Sequence, residues 1–101
     1  MHVQEVLVRS SKERTIDVLG LTYKVVETED RNKLPESAWG MVHHDKGLIL
    51  IYKEMSEEAK RFTLWHELVH CIEYRMSLEL EEDMIDRIAA GIDYITSHNK
   101  L

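Results

Sequence analysis

Apolar residues change their rhythm partway along the chain. Up to about residue 52 they fall in short runs separated by polar turns, and after Met55 they recur every three or four residues. Ile16, Val18 and Leu19 are followed by Gly20 and then by Leu21, Tyr23, Val25 and Val26, which predicts two strands turning at the glycine. The polar stretch from Glu27 to Ser37 holds the single proline, Pro35, and predicts a loop. A second pair follows: Ala38 to His43, a turn at Asp45-Lys46-Gly47, then Leu48 to Tyr52. Leu48-Ile49-Leu50-Ile51 is apolar at every position, as in a strand covered on both faces, so it belongs inside a sheet. Residues 1–12 alternate only weakly, and a strand, a short helix and an ordered tail all fit them.

Ser56 is a good N-cap, with Glu57 and Glu58 in the first turn where the helix dipole favours acids. The helix it opens should run to about Met76. Its apolar residues, among them Phe62, Leu64, Trp65, Leu68, Val69, Cys71 and Ile72, occupy most of the circumference, which predicts a buried helix. A break near Ser77 precedes a second helix from about Glu79 to Ser97, with Ile85, Ile88, Ile92 and Ile95 as its spine. Two hairpins followed by two helices predict one α+β domain over residues 1–101.

Composition narrows the function. The 101 residues carry a net charge of −6, and no basic stripe is present to track phosphates, so a nucleic-acid partner is not expected. No run approaches the ~18 apolar residues of a membrane span. The N-terminus lacks a secretory pattern and Cys71 is the single cysteine, so the expected compartment is the cytoplasm. Glu79, Glu81, Glu82, Asp83 and Asp86 cluster ahead of the second helix, and fit either a solvated helix start or metal ligation.

The chemistry stands on the first helix, in His66-Glu67-Leu68-Val69-His70. Histidines at i and i+4 share one helix face, so both rings can reach one zinc ion. Glu67 lies beside the first of them, placed to hold a water and take its proton. Buried imidazoles and a carboxylate on an apolar helix need partners, and a metal supplies one. Cys71 projects about 100° from His70 and reads as a small core residue. His43 and His44 near the turn, and Tyr52 and Tyr74, are weaker candidates for substrate or oxyanion contacts, while Trp39 and Trp65 read as packing residues.

The segments Thr63-Leu64-Trp65-His66-Glu67-Leu68-Val69-His70-Cys71-Ile72 and Glu81-Glu82-Asp83-Met84-Ile85-Asp86-Arg87-Ile88-Ala89 resemble the ImmA/IrrE-type zinc metallopeptidases. The likeness is greatest to their short members from phages and other mobile elements, and it extends over roughly residues 15–98. The resemblance implies a small zincin-like domain of the gluzincin kind: a sheet over an active-site helix, with a third zinc ligand on the next helix. The implied ligand is a glutamate followed four residues later by an acid that buttresses a histidine, and Glu82 with Asp86 fits. Ideal helical geometry leaves Glu81 as the rival, because Glu81 would project along the isoleucine spine.

The implied activity is a zinc-dependent endopeptidase acting on a protein or peptide, such as a transcriptional repressor, with Glu67 as general base. The alternatives are a non-catalytic zinc-stabilised interaction protein for host takeover and a peptidase awaiting a partner. Ala38–His43 is the less covered strand and is expected at the sheet edge, where an extended peptide could add a strand.

Overall fold

A computed structural model describes residues 13–101. Residues 1–12, which fit a strand, a short helix or an ordered tail, lie outside the described residues. Four strands, β1 (Arg14–Val18), β2 (Leu21–Thr28), β3 (Gly40–His43) and β4 (Leu48–Tyr52), precede two helices, α1 (Glu57–Arg75) and α2 (Glu82–His98). The chain is α+β, with a mixed sheet in the order β1-β2-β4-β3.

Both hairpins form as expected. Val18 pairs with Leu21, so the first turn has two residues. Leu19 and Gly20 both take positive φ, 52° and 96°, as the mirror-image two-residue turns demand. The Asp17 carboxylate accepts the Gly20 N–H at 2.9 Å and steadies it. The hairpins join through β2 and β4, which run parallel, so the sheet is mixed and β4 is internal. Ile49 and Ile51 face α1 in the core, and Leu50, on the opposite face, is also buried, which accounts for the unbroken apolar run.

Three boundaries differ from expectation. β2 continues to Thr28, and a short 3-10 turn at Arg31–Lys33 interrupts the expected loop. β3 begins at Gly40 instead of Ala38, because the Ala38 carbonyl is taken by the Arg31 guanidinium at 2.6 Å. α2 begins at Glu82 instead of Glu79, with Glu81 in extended backbone at its capping position.

The Ser56 side chain caps α1 by accepting the Ala59 N–H at 3.0 Å. Leu64, Leu68 and Cys71 press onto Val18, Tyr23, Val25, Ile49 and Ile51 of the sheet. Val69 faces the other way, against Ile85 and Ala89 of α2. The helix is less enclosed than its sequence implies: Ile72, Tyr74 and Met76 near its C-terminal end are exposed. The α2 spine is also narrower. Ile85, Ala89 and Ile92 follow the contact line, while Ile88 and Ile95 fall on its flank and are exposed, because α2 packs on one side only. No helix among the described residues is long and apolar enough to cross a membrane.

Candidate metal centre

α1 turns His66 and His70 toward the start of α2, where Glu82 meets them. Its two carboxylate oxygens lie 3.4 Å from His66 Nε2 and 3.1 Å from His70 Nε2. One ligand atom from each of the three residues falls within 4.8 Å of the others, a spacing that could hold a metal ion. Two imidazole nitrogens and one carboxylate oxygen suit zinc or another borderline divalent cation.

Each ring is held from behind. The Asp86 carboxylate lies 2.8 Å from His66 Nδ1, one turn beyond Glu82 on α2. The Glu73 carboxylate lies 3.1 Å from His70 Nδ1, one turn beyond it on α1. A carboxylate accepting the Nδ1–H leaves the Nε2 lone pair for a cation. Glu73 is a site residue that the motif alone does not point to. Its signal is its spacing, three residues after His70 and seven after His66, which places it on the same helix face.

Glu82, not Glu81, joins the histidines. Glu81 would project along the isoleucine spine only if residue 81 were helical. With φ −75° and ψ 152° it is extended, so the isoleucine periodicity does not reach it. Asp83 pairs with Arg87 on the exposed side of α2, at 2.8 Å.

Glu67 lines the same cleft as His66 and Glu82 but is not one of the three grouped residues. It is 6% exposed, and its side chain lies under β3. Burial pushes its carboxyl above the usual carboxylate range, Glu82 adds to the rise, and the His66 and His70 rings oppose it. A Cβ at Gly40 would stand 2.7 Å from Thr63 Cγ2 and 3.1 Å from Glu67 Oε2, so only glycine lets the strand come this close. A cleft of about 280 Å³ opens here, bounded by Trp39 and Gly40 on one side, by Phe62, Thr63, His66 and Glu67 on α1, and by Glu82 and Asp86 on α2.

β3 is the terminal strand of the sheet among the described residues. Tyr52 donates its N–H to the Trp39 carbonyl at 2.8 Å, which makes Gly40–Ile51 the non-hydrogen-bonded pair and Met41–Leu50 the bonded one. Gly40 and Val42 therefore turn their N–H and C=O away from β4. These are the groups an added strand would meet.

The weaker candidates separate. His44 stacks on Tyr74 with ring centroids 4.0 Å apart, and its Nδ1 lies 2.9 Å from the Tyr23 hydroxyl. Burial lowers its pKa, with His70 acting in the same direction. Cys71 is fully buried, and burial pushes its thiol up to about 11, as befits a core residue and not a thiolate ligand. Trp39 is 55% exposed at the rim of the cleft, against Tyr52 and under the Arg31 guanidinium, and so is not the packing residue expected. Trp65 is partly buried and packs against both core clusters. No family model, curated protein or solved structure matches the chain.

Proposed function

We propose that the chain is a zinc-dependent metallo-endopeptidase that hydrolyses a peptide bond of a cytoplasmic protein. The observation that carries this reading is the convergence of His66, His70 and Glu82 beside a buried carboxylate, Glu67, that is not part of the ligand group. A purely structural zinc site closes with four protein ligands, whereas the group found among the described residues has three. It also has no use for a carboxyl buried next to a cleft.

Zinc held by His66, His70 and Glu82 would supply Lewis-acid activation of water and polarisation of the scissile carbonyl. The protein's own residues do the rest. Asp86 and Glu73 hold the two rings by Nδ1, so that Nε2 of each turns toward Glu82. Glu67, in the cleft, accepts a proton from the attacking water and returns it to the departing amide nitrogen. An extended peptide pairs with the outward N–H and C=O of Gly40 and Val42, which brings its backbone alongside Glu67. The likeness of the helix motif to ImmA/IrrE-type metallopeptidases extends the proposal to a regulatory protein, such as a repressor, as target.

The test is a zinc-loaded preparation incubated with a diverse peptide library and read by mass spectrometry, beside Glu67→Gln. The wild type should cleave. The variant should bind zinc equally and cleave about 10²–10⁴-fold more slowly. Equal cleavage by both proteins, or none by a wild type that holds zinc, overturns the reading.

A further inference from the structure

Behind the His70 ring stands one side chain with two attachments. Glu73 Oε1 lies 3.1 Å from His70 Nδ1, and Glu73 Oε2 accepts the backbone N–H of Leu80 at 2.8 Å. Its own carbonyl accepts the Leu78 N–H at 2.9 Å. Between these anchors the chain reverses at Ser77, whose φ is 55°. Leu80 packs against the Val69–Ile85–Ala89 cluster, and two residues later the chain presents Glu82.

We propose that Glu73 is a positioning residue that ties two of the three ligands together: one carboxylate oxygen fixes the His70 ring, and the other fixes the connector that delivers Glu82. This deepens the metallopeptidase reading and rests on its metal centre. Each His70 ring nitrogen faces a carboxylate, Glu73 at Nδ1 and Glu82 at Nε2, both at 3.1 Å. Neutral imidazole carries one proton, and the Glu73 carboxylate draws it toward Nδ1, the form whose Nε2 lone pair a cation can take. The connector is otherwise held near this point by turn hydrogen bonds and by Leu80, so the charged bond to Leu80 N sets where α2 begins. His66 has a separate support in Asp86, so the two rings are fixed from different helices.

Glu73→Gln tests the two attachments separately. The amide oxygen can still accept from Leu80 N, but the amide that replaces the second oxygen cannot accept from a ring N–H. Zinc affinity by chelator competition should fall about 10–100-fold, with little change in the thermal midpoint of the metal-free protein. Nitrogen-15 spectra of metal-free protein at a pH where the rings are neutral should show a larger share of the Nδ1–H tautomer of His70 in the wild type than in the variant, because Glu82 competes for the proton at Nε2. Glu73→Ala, which removes both attachments, should weaken zinc binding further and lower the midpoint as well.

Zinc affinity in Glu73→Gln equal to that of the wild type overturns the proposal. So does a His70 tautomer ratio in the metal-free protein that is the same in the wild type, Glu73→Gln and Glu73→Ala. A wild type that binds no zinc while the His70 tautomer ratio still shifts in Glu73→Gln would instead remove the metal centre and leave the Glu73–His70 contact standing.

Discussion

The two halves of the candidate centre rest on different foundations. His66 and His70 stand on α1, which is capped by Ser56, buries six of its nineteen residues and lies between the sheet and α2. Glu82 stands on the first turn of α2, which has no side-chain cap and buries two of its seventeen residues, Ile85 and Ala89. The exposures follow: the histidine side chains are 19% and 23% exposed and the glutamate 71%. Core packing therefore places the histidines before any cation arrives, whereas the position of Glu82 depends on a connector and two core side chains. A cation bridging them would act as a link between the helices. At a free concentration a hundredfold above its dissociation constant it would add about 2.7 kcal/mol to stability.

The neighbouring glutamates should differ most in what their loss does to zinc binding. Glu82→Ala removes the α2 ligand and should lower zinc affinity by more than the 10–100-fold typical of a supporting residue. Glu81→Ala should leave it near wild type, because Glu81 is extended and outside the ligand group. Chelator-competition titration of both variants decides. Equal losses would mean that the first turn of α2 rearranges around the metal, and the comparison of a firm half with a dependent one would fail.

Asp86→Asn probes the contact by which α2 reaches back to α1. Its carboxylate faces His66 Nδ1 at 2.8 Å although the side chain is 56% exposed. Loss of the charge should cost about 10–100-fold in zinc affinity or in turnover. Because the fully buried Ile85 and Ala89 hold α2 in place, the thermal midpoint of the metal-free variant should stay near wild type. A large drop in that midpoint would show that Asp86 holds the helix as well as the ring.

What could be read from the sequence follows the same division. The α1 half was legible because its residues are contiguous and helical spacing alone puts His66 and His70 on one face. The hairpins were legible from Gly20, from the Asp45–Gly47 turn and from the unbroken Leu48–Ile51 run. The α2 half was harder. Glu79, Leu80 and Glu81 look like a first helical turn, but the Glu73 carboxylate takes the Leu80 N–H and Leu80 packs into the core, so the helix starts later. That is a contact between residues seven apart across a chain reversal, and no periodicity encodes it. Ile88 and Ile95 continue an apolar spacing whose outer members find no neighbour among the described residues to bury them. The closeness of Gly40 to Glu67 is likewise tertiary, since an isolated glycine does not say what lies opposite.

The weaker half can also be strengthened, by a modest amount. Glu81 occupies the capping position of α2, in the extended conformation a cap requires, yet its side chain makes no capping hydrogen bond. Serine there can accept an N–H from the first turn, as Ser56 does for α1. Glu81→Ser should therefore add about 1 kcal/mol, raising the thermal midpoint of metal-free protein by roughly 4–8 °C for a domain of this size. Zinc affinity should hold or rise slightly, since a firmer first turn restricts Glu82 to fewer positions. The acidic side chain also contributes to the favourable charge at a helix start, so part of the gain is offset when it is removed. A calorimetric midpoint that rises with zinc affinity intact would confirm that residue 81 acts through the backbone of α2 and residue 82 through its carboxylate. A midpoint that rises while zinc affinity collapses would make Glu81 a ligand after all.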